Sequence, residues 1–333
     1  MNKFLIILLL TLVACEQDVD AIMFKNFQKF IKKYNKKYNS LKEYIARFHV
    51  FKSNVISALQ EKQSYSTGIT KFSDMTFQEF SKIYLNLNYD AIGATNFNPF
   101  KVKPSNAAPV SWDWRDSGCV PDVKDQGSCG ACWAFVAGDL LEFLYCRHHK
   151  SLVPLSQQMM IDCDTSDSGC NGGLMEYAFA WLKKNGGIMK ETDYPYKGYK
   201  GTCKSDASKY IDMTITGYKK LGSSSSIYSP VDEEEIKEFL YETGILGVAI
   251  NANPLQTYTG GIVDKTSSQC PSSGINHSVV LVGYGHDATL NKDYWLLKNS
   301  WGKSWGESGY FRLKRGSGVC GVNTYVITPT VSF

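Results

Sequence analysis

The sequence predicts an α+β chain, with a helical N-terminal region, a helix-rich lobe, and a strand-rich lobe separated from it by a cleft. Three observations carry this reading. Residues 22–62 place Phe24, Phe27, Phe30, Ile31 and then Tyr44, Phe48 and Phe51 at helical spacing. Segments 133–145 and 156–163 again read as helices, with Ser156 an N-cap for the second. Past Gly247 the pattern changes to short apolar runs between Gly-rich turns, which is strand grammar. Helices and strands grouped in this way segregate into separate layers. A chain of 333 residues can bury a sizeable core as one large domain or two smaller ones.

The N-terminus opens on Met1-Asn2-Lys3, runs without charge over residues 4–13 and exits through Ala14-Cys15. A charged start, an apolar core and a small-residue exit make a secretory signal over residues 1–15, too short to span a membrane. Leu12-Val13-Ala14-Cys15 also fits a lipoprotein box with Cys15 acylated, a reading the rest of the chain disfavours. No later stretch approaches the roughly 18 apolar residues of a membrane helix. Secretion would place the nine cysteines after Cys15 in an oxidising compartment. Nine is odd, so at least one thiol stays unpaired.

Residues 22–62 read as two amphipathic helices, and the lysine cluster at 32–37 as a solvated face. Residues 90–109 have linker composition, without periodicity. Taking a boundary after Ala107, residues 16–107 carry 14 Lys and Arg against 8 Asp and Glu, a balance of +6. Residues 108–333 carry 21 against 24, or −3. This pattern suits two complementary pieces and makes a nucleic-acid partner a poor fit. The serine run within 222–230 reads as an exposed loop. The acids at 232–235 then open a helix where its dipole favours them. Segments 278–283, 294–298 and 310–314 read as strands.

The stretch Asp125-Gln-Gly-Ser-Cys129-Gly-Ala-Cys132-Trp-Ala-Phe135 raises the chemical question. A C-x-x-C pair can be a redox couple, half of a zinc site, or a reactive thiol beside a structural one. A redox pair should follow a βαβ pattern, which residues 118–124 lack. Zinc needs a second ligand pair, and none has suitable spacing. His148 and His149 are adjacent in sequence at a helix end, where their rings are expected to point apart. A nucleophile needs a base, and Gly274-Ile-Asn-His277-Ser278 supplies an imidazole at the start of a strand. Asn299, 22 residues on in Lys298-Asn-Ser-Trp-Gly302, is a candidate to orient it.

These motifs, with their spacing, resemble those of papain-family cysteine proteases of the cathepsin L type, over nearly the whole chain. The resemblance implies a papain-like two-lobed fold, with a helical lobe and a β-barrel-like lobe behind a helical inhibitory propeptide. It implies a cysteine endopeptidase made as a zymogen, with residues 1–15 as signal, 16–107 as propeptide and 108–333 as peptidase domain. Cys132 matches the nucleophile, His277 its base, Asn299 the ring orienter, Trp301 the indole over that hydrogen bond, and Gln126 the oxyanion-hole side chain. A thiol attacks as thiolate, so its pKa has to fall below about 8.5. A helix N-terminus near Trp133 and an imidazolium at His277 would both favour the anion. No cofactor and no metal are implied. Disulfides Cys129–Cys170, Cys163–Cys203 and Cys270–Cys320 follow from the same resemblance. Cys119 and Cys146 have no usual partner, and a fourth disulfide between them, closing a loop around Cys132, is the expectation in a secreted protein.

Glu43, Arg47, Phe51 and Asn54 follow the family's propeptide helix pattern, with Ala58 and Lys62 departing from it. Gly68, Thr70, Phe72 and Asp74 follow a second one, with Thr70 in place of the usual Asn. The resemblance assigns Gly172 and Gly173 to pairing with an extended substrate. It lines the pocket for the residue two before the scissile bond with Leu174, Met175, Ala249, Ile275, Ser278 and Tyr325. Tyr325 there carries no charge for a buried guanidinium and shortens the pocket, so bulky aliphatic residues are expected over Arg and Phe. The 21 residues between Gly172 and Tyr194 leave no room for the insertion an exopeptidase needs. Outside the enzymes, the alternative is an inactive homologue acting as a binding or decoy protein. Expected partners are peptide and protein substrates, the chain's own propeptide and cystatin-like inhibitors, with no membrane contact in a monomeric mature form. The expected location is the secretory pathway, ending in lysosome or secretion. The segment 155–163 also resembles insect-virus cathepsins, for which the endoplasmic reticulum of the infected cell would hold the enzyme until release.

Overall fold

The computed structural model describes residues 3–60, 64–87, 100, 108–222 and 230–333, with side chains from Asp18 onward. Most of the expected linker at 90–109, the serine loop within 222–230 and Lys62 lie outside the described residues. Helix α1 (Lys3–Tyr34) starts well before the residue-22 start read from the sequence. It crosses α2 (Leu41–Gln60), and Met23, Phe27, Phe30, Phe51 and Val55 close a small apolar core between them. Tyr38, Tyr44 and Phe48 ring this core. Strand β1 (Ser66–Thr67) and helix α3 (Phe77–Tyr84) follow. Thr76 caps α3 and Glu79 returns the bond to the Thr76 N–H, a capping box that satisfies two orphan donors at once.

The propeptide patterns found in the sequence hold α2 to the loop before α3. Arg47 pairs with Glu79 at 2.7 Å and donates to the Asp74 carbonyl. Asn54 donates to the carbonyls of Ser73 and Met75, while Asp74 takes Lys36 and the Tyr38 hydroxyl. Phe51 sits fully buried between the helices. Arg47, Phe51 and Asn54 are thus ties between elements, which explains their spacing along one face of α2.

The helical lobe is built on α4 (Cys132–His149), a helix buried along most of its length and therefore apolar nearly all round. Its buried acids Asp139 and Glu142 are paired with Lys124 and Lys298. Helices α5 (Gln157–Cys163), capped by Ser156, and α6 (Met175–Asn185) pack beside it. The strand lobe orders β3 (Thr214–Leu221), β10 (Val326–Ser332), β4 (Leu246–Ile250), β7 (His277–Asp287), β8 (Lys292–Lys298), β9 (Tyr310–Lys314) and β6 (Ile262–Val263) in one sheet. Strand β2 (Trp112–Asp113) joins β7, and α7 (Glu233–Thr243), capped by Asp232, packs against the sheet. Strand β5 (Tyr258–Gly260) lies outside this sheet and pairs with β1, tying the N-terminal region to the rest of the chain.

Four disulfides form: Cys119–Cys146, Cys129–Cys170, Cys163–Cys203 and Cys270–Cys320. Among the described residues Cys132 is the free cysteine. One expectation is corrected. The rings of His148 and His149 do not diverge but lie 4.7 Å apart, because Phe333 stacks on His148 and Tyr145 on His149. Aromatic packing at the end of α4 draws them together. Among the described residues no group of three or more His, Cys, Asp or Glu side chains could hold a metal. No helix among them is long and apolar enough to cross a membrane.

Candidate active site

Cys132 is the first residue of α4, so its thiol sits among the unpaired N–H groups at the positive end of the helix. His277 opens β7 and Asn299 directly follows β8. The antiparallel pairing of these strands, with Val280 opposite Lys298, folds the intervening 21 residues back on themselves. His277 Nε2 then lies 2.9 Å from Asn299 Oδ1, which also accepts the Ser300 N–H. Trp301 stacks on the imidazole, with centroids 4.8 Å apart. Nδ1, the nitrogen not used by Asn299, is buried without a hydrogen bond. Gln126 is fixed from several sides. Its Oε1 accepts the Ser300 hydroxyl at 2.6 Å, its Nε2 donates to the Cys129 carbonyl at 3.0 Å, and its carbonyl accepts the Tyr196 hydroxyl. One hydrogen on Nε2 remains for an incoming oxygen.

The propeptide fills the cleft above this group. Leu87 forms a parallel bridge with Gly173 and donates its N–H to the Asn276 carbonyl at 3.0 Å, so its backbone runs between the two lobes. Gly172 has φ +110, and a Cβ there would meet the Asn86 carbonyl oxygen at 2.1 Å. No side chain fits at 172 while that strand is in place. Phe72, Phe80 and Tyr84 place their rings edge-on against Trp301, at 5.2, 5.4 and 6.0 Å between centroids. A cavity of about 700 Å³ opens away from this cleft, lined by Trp112, Arg115, Tyr284, Tyr294, Tyr310 and Arg312 among others.

The expected pocket residues fall together. Ala249 and Ser278 are partners across β4 and β7, and the Ala249 N–H donates to the Tyr325 carbonyl. Leu174 and Met175 lead into α6, and the Tyr325 hydroxyl accepts the Glu176 N–H at 3.4 Å. Leu174, Met175, Ala249, Ile275 and Tyr325 belong to the same buried apolar cluster as Leu87 of the propeptide.

Water exclusion sets the electrostatics. Burial pushes the Cys132 thiol above its ordinary value, outweighing hydrogen bonds from Ser278 and the helix N–H groups. Burial likewise lowers His277 to about 4, against the favourable effect of its bond to Asn299. In this covered state burial therefore works against the thiolate and imidazolium expected from the sequence. Behind the glycine wall, Asp167 is pushed up to about 8 by burial and by neighbouring Asp164, while it accepts the Leu174 N–H.

Several functional contacts carry no local sequence signal. The aromatic wedge on Trp301, the β1–β5 pairing and a buried Lys220–Glu176 pair below Tyr325 link residues far apart in the chain. The helical spacing of Phe80 and Tyr84 in α3 was the one available hint of the wedge.

Comparison with known proteins matches residues 108–330 to the papain family cysteine protease domain and residues 27–80 to the cathepsin propeptide inhibitor domain. Cysteine proteinase 15A of Pisum sativum is 41% identical over 91% of this chain and 85% of its own length. Cathepsin F of Mus musculus is 39% identical over 95% of this chain and 67% of its own. A viral cathepsin of Epiphyas postvittana nucleopolyhedrovirus is 36% identical over 97% of both. Among solved structures, digestive procathepsin L 3 of Tenebrio molitor superposes with a TM-score of 0.81 at 34% identity, covering 92% of this chain and 99% of that one.

Proposed function

The chain belongs to the papain family of cysteine proteases and carries the family's propeptide inhibitor domain, and on that premise we propose that Cys132 and His277 form its catalytic pair. The observation that carries this reading is the 2.9 Å bond from His277 to Asn299, together with Cys132, the one free cysteine among the described residues, at the start of a helix. Removing the propeptide readmits water, and the proton then moves from Cys132 to His277 Nδ1 to give thiolate and imidazolium. The thiolate attacks the scissile carbonyl. The oxyanion takes hydrogen bonds from the Gln126 side chain and the Cys132 N–H. His277 gives its proton to the leaving amine, then takes one from the water that hydrolyses the acyl-enzyme and releases Cys132.

Substrate runs as an extended strand along Gly172 and Gly173, with its second residue before the scissile bond in the pocket of Leu174, Met175, Ala249, Ile275, Ser278 and Tyr325. Leucine, valine and isoleucine are preferred there over phenylalanine, and arginine is rejected. It supports the reading that Leu87, the propeptide residue held by Gly173, is itself leucine. The enzyme is a monomeric endopeptidase of the secretory pathway, acting in a lysosome or outside the cell on peptides and proteins, and open to cystatin-like inhibitors. Residues 1–15 are its signal, 16–107 its propeptide and 108–333 its peptidase domain. Acid-activated protein treated with an epoxide thiol inhibitor should be labelled on Cys132 and lose its peptidase activity. Activity without labelling at Cys132 would sink the mechanism, and the absence of both would mark a decoy.

A further inference from the structure

Below the pocket floor lies a buried ion pair that the proposed mechanism does not use. Lys220, on β3, reaches Glu176, in the first turn of α6, at 3.0 Å, and both side chains are almost fully buried. A buried pair is weak evidence for stability, because desolvation offsets most of the attraction. Its placement suggests another use. The Lys220 ammonium sits 4.4 Å from the centroid of the Tyr325 ring, and the Glu176 N–H meets the Tyr325 hydroxyl. The phenol is thus held at its face by a cation and at its tip by a donor. Glu176 Oε1 makes no hydrogen bond in this arrangement. Its carboxylate, at the positive end of α6, is balanced chiefly by Lys220.

We propose that Lys220 is a specificity-determining residue: by clamping Tyr325 as the pocket floor and neutralising Glu176 beneath it, it denies basic side chains entry to the pocket. This rests on the assignment of Tyr325 to that pocket. Without the Lys220 ammonium, Glu176 would be an uncompensated buried carboxylate under a loosened phenol. A substrate guanidinium could then replace the lost charge. Burial presses Lys220 toward its neutral form against the pull of Glu176.

The test compares kcat/KM of activated enzyme on otherwise identical peptides with Leu, Phe or Arg two residues before the scissile bond. Lys220→Met should raise the Arg/Leu ratio at least tenfold. Lys220→Arg should keep the wild-type profile. Lys220→Met/Glu176→Gln should abolish the gain for Arg. An Arg/Leu ratio within twofold of wild type in Lys220→Met, while Tyr325→Ala widens acceptance of Phe, overturns the role of Lys220 and leaves the pocket assignment standing. An unchanged profile in Tyr325→Ala overturns both. If Lys220→Met does not accumulate, the double variant, which leaves no unpaired charge, decides. Loss of the cation over the ring predicts a Phe/Leu ratio raised at least threefold, and an unchanged ratio rejects the clamp.

Discussion

His277 keeps its ring plane through two contacts of different kinds, the Asn299 carbonyl oxygen at Nε2 and the stacked face of Trp301. The first selects the tautomer that leaves Nδ1 for the thiol, while the second restrains tilt. Losing one should therefore degrade orientation without destroying the base. Asn299→Ala is expected to lower kcat/KM by about 10²-fold, the scale of a small misplacement of a catalytic group. Cys132→Ala and His277→Ala should leave a folded zymogen with no measurable turnover. An Asn299→Ala enzyme as inert as His277→Ala would show that Asn299 does more than orient. The neighbouring Asn276 stands in the sole N-x-S/T sequon of the chain. Its Nδ2 donates to Asn253 at 2.8 Å, its Oδ1 accepts the Ala252 N–H, and its carbonyl holds Leu87. A glycan on that nitrogen would break the first contact and crowd the cleft. Asn276 is expected to stay unmodified in secreted, active enzyme. Mass spectrometry that finds it glycosylated would contradict the placement of the cleft.

Helix α3 is the element that closes the site, and apolar contact is its main hold. Between the N-terminal region and the peptidase domain, the described ion pair is Lys71–Asp125 at 2.6 Å. Among the described residues the two regions thus share a single direct bridge, while Phe72, Phe80 and Tyr84 pack on Trp301 and β1 pairs with β5. Phe80 is fully buried. Truncating such a ring costs about 3–5 kcal/mol, part of it felt within the propeptide itself. Phe80→Ala in the intact zymogen should let an epoxide inhibitor reach Cys132 about 10²-fold faster at neutral pH, corresponding to about 3 kcal/mol of lost docking. Unchanged labelling would mean that the strand through Leu87 alone seals the cleft. What the sequence disclosed follows the same division between local and distant. Periodicity and caps revealed α4, α5, α7, β7, β8 and β9, because each is set by residues within a few positions of one another. Cys132, His277 and Asn299 were legible as motifs. The wedge on Trp301 and the Lys220–Glu176 pair were not, since each joins residues far apart in the chain and nothing near Lys220 in sequence marks it as buried. Only the packing of β10 and α6 buries it.

Over the whole molecule, the pH at which the zymogen opens depends on which groups change protonation between the closed and open states. In the proposed mechanism the Cys132–His277 pair contributes little, because opening would move a proton from one to the other and take up none from solvent. The propeptide's own ties behave differently. Glu79, paired with Arg47 and capped by Thr76, has its carboxyl lowered to about 2 by those contacts. A carboxyl with a depressed folded pKa adds stability above its unfolded value of about 4.3, and loses it as pH falls toward the folded value. Asp167 in the peptidase domain has the opposite sign. Its folded pKa of about 8 lies above the unfolded one, so its contribution is full below about 4 and fades as pH rises toward 8. Acid therefore loosens the propeptide while sparing the glycine wall of the enzyme. Self-processing should accelerate as pH falls below about 5, followed by the appearance of mature-size protein on a gel. Glu79→Gln keeps a capping group but removes the titration, so it should process faster than wild type near neutrality and vary less with pH between 3 and 6. If Glu79→Gln retains the wild-type pH profile, or if wild type activates equally fast from about pH 4 to 7, the switch does not lie in the ties between α2 and α3.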